Sequence, residues 1–446
     1  MGGHADDTAA IQRALTRSQD FCLDGEGRTY TVSGTLRAEH DLCLRNVTLV
    51  QAIPPVDTTS YIVSDCPSTT DASAVIDCGD PVIGAAQLQP LNRWLSVRTL
   101  FIRTDRPGGR LRVNLDHVKV DRGRDPEQGS RTDSAGIWIQ NASRIDLKSV
   151  EITGGGKGYG LFVNRAGDVR VDGLWVHDLV WAPYRGDAPL TVARVSRIGW
   201  NSVPIHEFRA AGRGAGQSKF YGVRVQEQLT CAAFSEVTAV RIHNVRISRC
   251  MARFEGGALP WQADGLDISR SATDVAVDGA AIDSTWEGMD VVGNGAGVKR
   301  LVLSNLAVTN SFGFGLKLGR DVEGARLSNV RIDRAGIAGI VLYGGVSGLS
   351  ITHARIDNVG WLIGPGGARL APWPPGNRSG IRLDGQARGA DGAPSDILID
   401  DVVVGADAGP PRYDFGILNT GGTAVRLRGF HATGYGHSAG SGVEIR

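Results

Sequence analysis

The chain has 446 residues, 61 of them Gly and 41% apolar, and its 48 basic residues balance 47 acidic ones. That balance provides no basic field of the kind that draws nucleic acid or anionic membrane. No apolar run reaches bilayer-spanning length. The expected partners therefore exclude nucleic acid and a membrane span, although local Arg and Lys could still hold an acidic polymer.

The opening MGGHADD lacks the basic and apolar regions of a signal peptide. Residues 6–18, DDTAAIQRALTRS, follow a helical pattern in which Ile11, Ala14 and Leu15 form one apolar stripe. Asp6 or Asp7 can accept bonds from the free amides at the start of this helix. A helix here suits the open end of a strand stack, which would otherwise invite pairing. FCLDGEGRTYTVSGTLRA (21–38) reads as the first strands, and DLCLRNVTLV (41–50) as a regular rung. The stretch 52–92, rich in Pro, Ser, Thr and Asp, reads as a loop insertion.

Six cysteines fall in three local groups: Cys22 with Cys43, Cys66 with Cys78, and Cys231 with Cys250. An even, clustered set suits local disulfides and a secreted or periplasmic protein in its mature form. Six buried thiols are the alternative. No Cys/His spacing matches a zinc site.

After Arg110 the rhythm becomes regular. RIDLKSVEIT (144–153), AVRIHNVRIS (239–248), RLVLSNLAVT (300–309) and LSITHARID (349–357) each give two alternating strands around a short turn. Period-2 alternation marks half-buried strands. The turns often carry Asn, as at Asn244, Asn305 and Asn329, a residue that tolerates left-handed backbone. Each segment is followed by a unit of Gly, apolar, variable, apolar. Examples are GIWI (136–139), GLFV (160–163), GVRV (222–225), GLDI (265–268), GMDV (288–291), GLKL (315–318), GIVL (339–342) and GIRL (380–383). A repeat of 20–30 residues with three short strands per copy is that of a stacked solenoid, here a parallel β-helix occupying 1–446 as one domain. Longer intervals at 180–220, 249–262 and 361–378 read as loop insertions flanking a cleft, the first with room for one weak extra rung.

The second and fourth residues of each Gly unit are apolar and point inward, so the third points outward. Read along the chain, the third position gives Trp138, Phe162, Arg224, Asp267, Asp290, Lys317, Val341, Arg382, Leu418 and Glu444. Aromatics beside carboxylates and fixed cations suit sugar rings, by stacking and hydrogen bonding. The residues before the central glycines are Asp264, Glu287 and Phe314. Asp264 and Glu287 then lie on adjacent rungs, with Asp267 and Asp290 close by. Four carboxyls so near one another cannot all ionise cheaply, so at least one pKa rises. One protonated acid beside one carboxylate is what glycosidic hydrolysis requires. Trp286, Trp261, Phe314, Trp138, Phe162, Lys317, Arg224, Arg320 and Arg382 complete the expected substrate contacts. No cofactor is required; calcium held by the acids is the alternative reading of the cluster.

On these residues the sequence resembles the pectin-lyase-like superfamily of right-handed parallel β-helices, which includes polygalacturonases, polysaccharide lyases and phage tailspikes. DDTAAIQRAL looks like the capping helix of its pectate-lyase-3 type members. The central rungs are similar to polygalacturonase-type glycoside hydrolases, whose signature runs Asn-Thr-Asp-Gly, Asp-Asp and Gly-His-Gly. Here Gln262-Ala263-Asp264-Gly265 takes the first place and Trp286-Glu287 the second, with Trp286 replacing one acid. Gly313-Phe314-Gly315 takes the third, with Phe314 where the family has His. The resemblance implies an all-β chain acting on a polysaccharide or oligosaccharide, as a monomer or a trimer. Asp264 and Glu287 are then the reacting carboxyls of a hydrolase. A lyase using Lys317, Arg224 or Arg320 against a uronic acid, and a non-catalytic glycan-binding β-helix, are the competing functions.

Overall fold

The structure, a computed structural model, describes residues 6–52, 98–104, 111–122, 135–154, 159–177, 201–206, 218–226, 230–250, 264–293, 297–360, 378–385, 392–405, 413–439 and 444–445. Within them the chain is a parallel β-helix with a short N-terminal helix, in two compact units. The expected insertions at 52–92, 249–262 and 361–378 lie almost wholly outside the described residues. So do Trp261, Cys66 and Cys78, and the side chains of Arg224, Cys231, Cys250 and Glu444.

The N-terminal unit opens with the helix Thr8–Arg17. Asp6 Oδ1 accepts the Thr8 amide at 3.0 Å, while Asp7 Oδ2 accepts the Thr31 amide at 3.1 Å. Of the expected apolar stripe only Leu15 is fully buried. Strands Leu23–Val32, Leu42–Gln51 and Leu111–Asp121 then pair in parallel, as do Ala135–Thr153 and Tyr159–His177. Within 180–220, where a loop insertion was expected, the chain forms the strand Asn201–His206, whose Ile205 pairs with Val163.

Cys22 and Cys43 form a disulfide across 21 residues of sequence, as one of the three local groups anticipated. Closing a loop of that length stabilises a fold by about 3 kcal/mol in the chain-entropy picture. Reduction, or the double change Cys22→Ser/Cys43→Ser, is expected to loosen the capped end first. Amide exchange in 23–51 should rise before exchange elsewhere in the unit changes.

In the C-terminal unit each coil carries three strands. One complete coil is Asp264–Ser269, Thr273–Asp278 and the first part of Ala281–Val292, whose second part begins the next coil. Inward Leu266, Met289, Leu316, Ile340 and Ile381 stack on successive coils, all buried. Fully burying one such side chain is worth about 1.5–3 kcal/mol. Asn244, Asn305 and Asn329 take positive φ of 51°, 54° and 52°, as their turn positions predict. Their side chains also bond between coils: Asn305 Nδ2 donates to Asp278 Oδ1 at 2.7 Å, and Asn329 Nδ2 to Asn305 Oδ1 at 3.2 Å.

The repeated glycine has a steric cause. A Cβ on Gly265 would sit 2.5 Å from the Gly288 carbonyl oxygen, and one on Gly288 would sit 2.4 Å from that of Gly315. Both would also strike an interior side chain, Ile282 or Val308. The missing side chain lets the coils close at a corner where the chain bends. That bend turns both neighbours, the residue before the Gly and the residue two after it, to the outer face.

Candidate active site

The coils stack in the register implied by the spacing. Asp264 pairs with Glu287 and Glu287 with Phe314; Asp267 pairs with Asp290, Asp290 with Lys317, Lys317 with Val341 and Val341 with Arg382. Coils lie about 4.8 Å apart, so three consecutive glycine corners bring four carboxyls and one ammonium together. A bulge between Thr285 and Glu287 helps set the Glu287 side chain on this face.

Lys317 Nζ donates to Glu287 Oε2 at 2.6 Å and to Asp290 Oδ2 at 2.9 Å. Asp264 hydrogen-bonds Glu287. Asp264, Glu287 and Asp290 are only 6%, 3% and 6% exposed, and Asp267 and Lys317 are slightly more open, the Lys317 side chain being 12% exposed. Asp264 Oδ1 and Asp290 Oδ1 accept no hydrogen bond among the described residues. Buried acceptors left unmatched are costly, and a site that keeps two of them is poised for a donor from outside.

The electrostatics follow from this crowding. Burial first, then the charges of Glu287 and Asp290, push the Asp264 carboxyl well above its ordinary range. Burial and Asp290 push Asp267 up to about 8. Burial raises Glu287 to about 7, against the opposing pull of Lys317. Burial also disfavours the charge on Lys317, but Asp290, Glu287 and Asp264 outweigh it and hold the ammonium firmly protonated. Crowding and burial thus raise three carboxyls together, around the one ammonium of Lys317.

The nearest oxygens of Asp264, Glu287 and Asp290 lie within 4.8 Å of one another, a set that a divalent cation could use. The Lys317 ammonium already supplies positive charge to two of the three, so a metal would have to compete with it.

The remaining expected contacts are placed differently. Trp286 is buried beneath Gly313, where a Cβ would lie 3.1 Å from the indole. Phe314 packs with Ile337, Ala338, Val341 and Tyr343 instead of facing solvent. Arg320 is exposed at the turn that ends the Lys317 strand. Arg382 is held by Asp384 at 2.7 Å. Trp138 and Phe162 belong to the N-terminal unit. There they stack at 3.9 Å with Phe101 edge-on to Trp138, and Trp138 is 0% exposed. Among the described residues the aromatics of the outward stripe are covered, not solvated. Aromatic side chains at about 4.8 Å spacing bury their faces on each other, while Lys317 and Arg382 pair with neighbouring carboxylates.

Tyr343 and Asp384 were missed. Both lie two residues beyond the third position of their Gly unit, so the next outward position of the repeat would have found them. Gly319 clears the space for Tyr343, since a Cβ there would lie 2.9 Å from the Tyr343 Cβ. Burial raises the Tyr343 phenol, with Lys317 and Glu287 among the charges acting on it.

No protein-family model matches the chain, and no curated protein matches it. Among solved structures it is similar to the Dettilon tailspike protein gp208, with a TM-score of 0.50 and 17% identity over 98% of this chain. The shared fold is a parallel β-helix. The chain spans 65% of that tailspike's length. It is also similar to a polygalacturonase from Erwinia carotovora ssp. carotovora, with a TM-score of 0.47 and 12% identity, covering 100% of this chain and 95% of that one. The A-module of the Azotobacter vinelandii mannuronan C-5 epimerase AlgE4 gives a TM-score of 0.47 and 11% identity, covering 100% and 96%. At these identities the likeness extends to the fold and to nothing finer.

Proposed function

We propose that the protein is a carbohydrate-active enzyme that hydrolyses glycosidic bonds of a polysaccharide or oligosaccharide. The observation that carries this reading is the pairing of two buried carboxyls, Asp264 and Glu287, on adjacent coils, with Glu287 Oε2 held by Lys317 Nζ at 2.6 Å. Asp264 gives its proton to the leaving glycosidic oxygen, and Glu287 acts on the anomeric carbon. An inverting pair needs about 6.5–9.5 Å between carboxyls to seat a water. The nearest oxygens here lie within 4.8 Å of one another, closer than that span and than the about 5–5.5 Å of a retaining pair, so the anomer of the released product decides between the two. Asp290 shares the ammonium and keeps Lys317 in place, and Asp267 is the most open of the four carboxyls.

Lys317 is a positioning residue in this scheme. A lyase would use such a cation to neutralise a uronate, but this one is already engaged by two carboxylates. Its charge lowers the Glu287 pKa. Lys317→Met is therefore expected to move the acid limb of kcat/KM from near pH 7 to higher pH, as well as lowering its plateau. A limb that stays in place would remove Lys317 from the mechanism. The Cys22–Cys43 disulfide supports a secreted or periplasmic location. Among the described residues no helix is long and apolar enough to cross a membrane.

The reading is tested by digesting a panel of neutral and acidic polysaccharides with wild type, Asp264→Asn and Glu287→Gln, scoring new reducing ends and unsaturated products. Reducing ends that vanish in both variants support it. Unsaturated products that survive both variants would point to a lyase, and no products beside retention on glycan columns would point to a binding module.

A further inference from the structure

A second cluster lies on the N-terminal unit. One outward column of its strands runs Lys119, Glu151 and Trp175 on successive coils, and the adjacent column runs Asp121, Thr153 and His177. Leu174 and Val176 flank Trp175 and are buried, so the indole stands on the outer face. The outward aromatics Phe101, Trp138 and Phe162 of this unit are buried against one another, whereas Trp175 is 38% exposed.

A single exposed apolar residue is ordinary. This one is unusual in how firmly it is held and in what borders it. Its ring stacks on the His177 imidazole, with centroids 3.7 Å apart and planes 23° from parallel. His177 Nε2 lies 3.3 Å from Glu151 Oε1, and the same oxygen accepts from Lys119 Nζ at 2.5 Å. Burial raises the Glu151 carboxyl, but the bonds and charges of Lys119 and His177 outweigh it and hold it below the usual range. The result is a fixed aromatic plane edged by a carboxylate acceptor and an ammonium donor. A plane already held by its neighbours loses little conformational freedom when something docks on it.

We propose that Trp175, Glu151 and Lys119 form a saccharide-binding subsite separate from the carboxylate cluster. A pyranose ring lays its C–H face on the indole, while its hydroxyls donate to Glu151 and accept from Lys119. The ligand class follows from this chemistry, because a sugar ring is an apolar face edged by groups that both donate and accept. A nucleic acid would call for a surplus of cations, and here Asp121 and Glu151 stand beside Lys119 and His177. The subsite draws on the proposed function only for the choice of probes, since it binds and does not cleave.

The test uses the full chain carrying Glu287→Gln, so that turnover does not obscure binding. Cellohexaose, chitohexaose and hexagalacturonate are titrated against it by calorimetry, with saturation-transfer NMR to detect weak contacts. At least one is expected to bind, about tenfold more weakly after Trp175→Ala, with most of the affinity restored by Trp175→Phe. Glu151→Gln should weaken binding with no change in the melting transition, which separates a lost contact from a lost fold. Binding unaffected by Trp175→Ala, or no binding of any of the three, overturns the subsite. Trp175-dependent binding by a chain that cleaves nothing would leave the subsite standing and sink only the hydrolase.

Discussion

Replacing Asp264 by Asn is expected to lower glycan turnover by roughly 10²–10⁴-fold while making the protein more stable at neutral pH. The loss follows because Asn cannot give a proton to a leaving oxygen. The gain follows from linkage. The folded-state pKa of Asp264 lies well above its ordinary value, so folding near neutrality forces the carboxyl to take up a proton that the unfolded chain does not bind. The stability that Asp264 allows is complete below the usual carboxylate range and is lost as pH rises toward the folded-state pKa. Asn carries no such dependence. Thermal unfolding of both proteins at pH 4 and pH 7 should show a gain for the variant at pH 7 and almost none at pH 4. A variant that is inactive and also less stable at pH 7 would mark Asp264 as a structural residue.

Gly288→Ala is expected to be among the most damaging single-methyl changes in the C-terminal unit. The new Cβ would lie 2.3 Å from Val308 Cγ1 and 2.4 Å from the Gly315 carbonyl oxygen. The first contact can shift by a rotamer, but the second is backbone of the next coil and cannot. Overpacking of a closed core costs about 1–3 kcal/mol and more where backbone must move, and the corner it forces apart separates Glu287 from Asp290. Gly324→Ala is the control. No atom lies within 4 Å of a Cβ there, and only its positive φ of 67° is strained, which costs about 1 kcal/mol. Chemical denaturation should rank Gly288→Ala well below Gly324→Ala. Equal losses would show that the glycine corner is not held by close approach between coils.

Much of the fold was legible because a solenoid writes its packing into sequence at a fixed interval. Inward Leu266, Met289 and Leu316 recur at the same place in each copy, and the turn Asn residues recur with them. The neighbours Asp264 and Glu287, and Asp267, Asp290 and Lys317, followed from register alone. What register could not convey was cover. Alternation separates the inner face of a strand from the outer, but it is silent on whether the outer face meets water. Trp138 and Phe162 therefore looked like a binding platform when they are packed on each other. Trp175, third residue of the run Gly173-Leu174-Trp175-Val176 in the same long strand as Phe162, carries the exposed ring instead. Partner choice was equally hidden: Lys317 was legible as a ladder cation, but its simultaneous bonds to Glu287 and Asp290 depend on side-chain reach across one coil boundary.

The central claim is that Asp264 and Glu287 cleave a glycosidic bond with water. It is tested most directly by running the reaction on an active glycan in water enriched in heavy oxygen and weighing the fragments. Hydrolysis predicts one heavy oxygen at each new reducing end and none at the new non-reducing end, with no signal from Glu287→Gln. Fragments that carry no heavy oxygen and a new double bond would contradict the account, because the bond would then have broken by elimination.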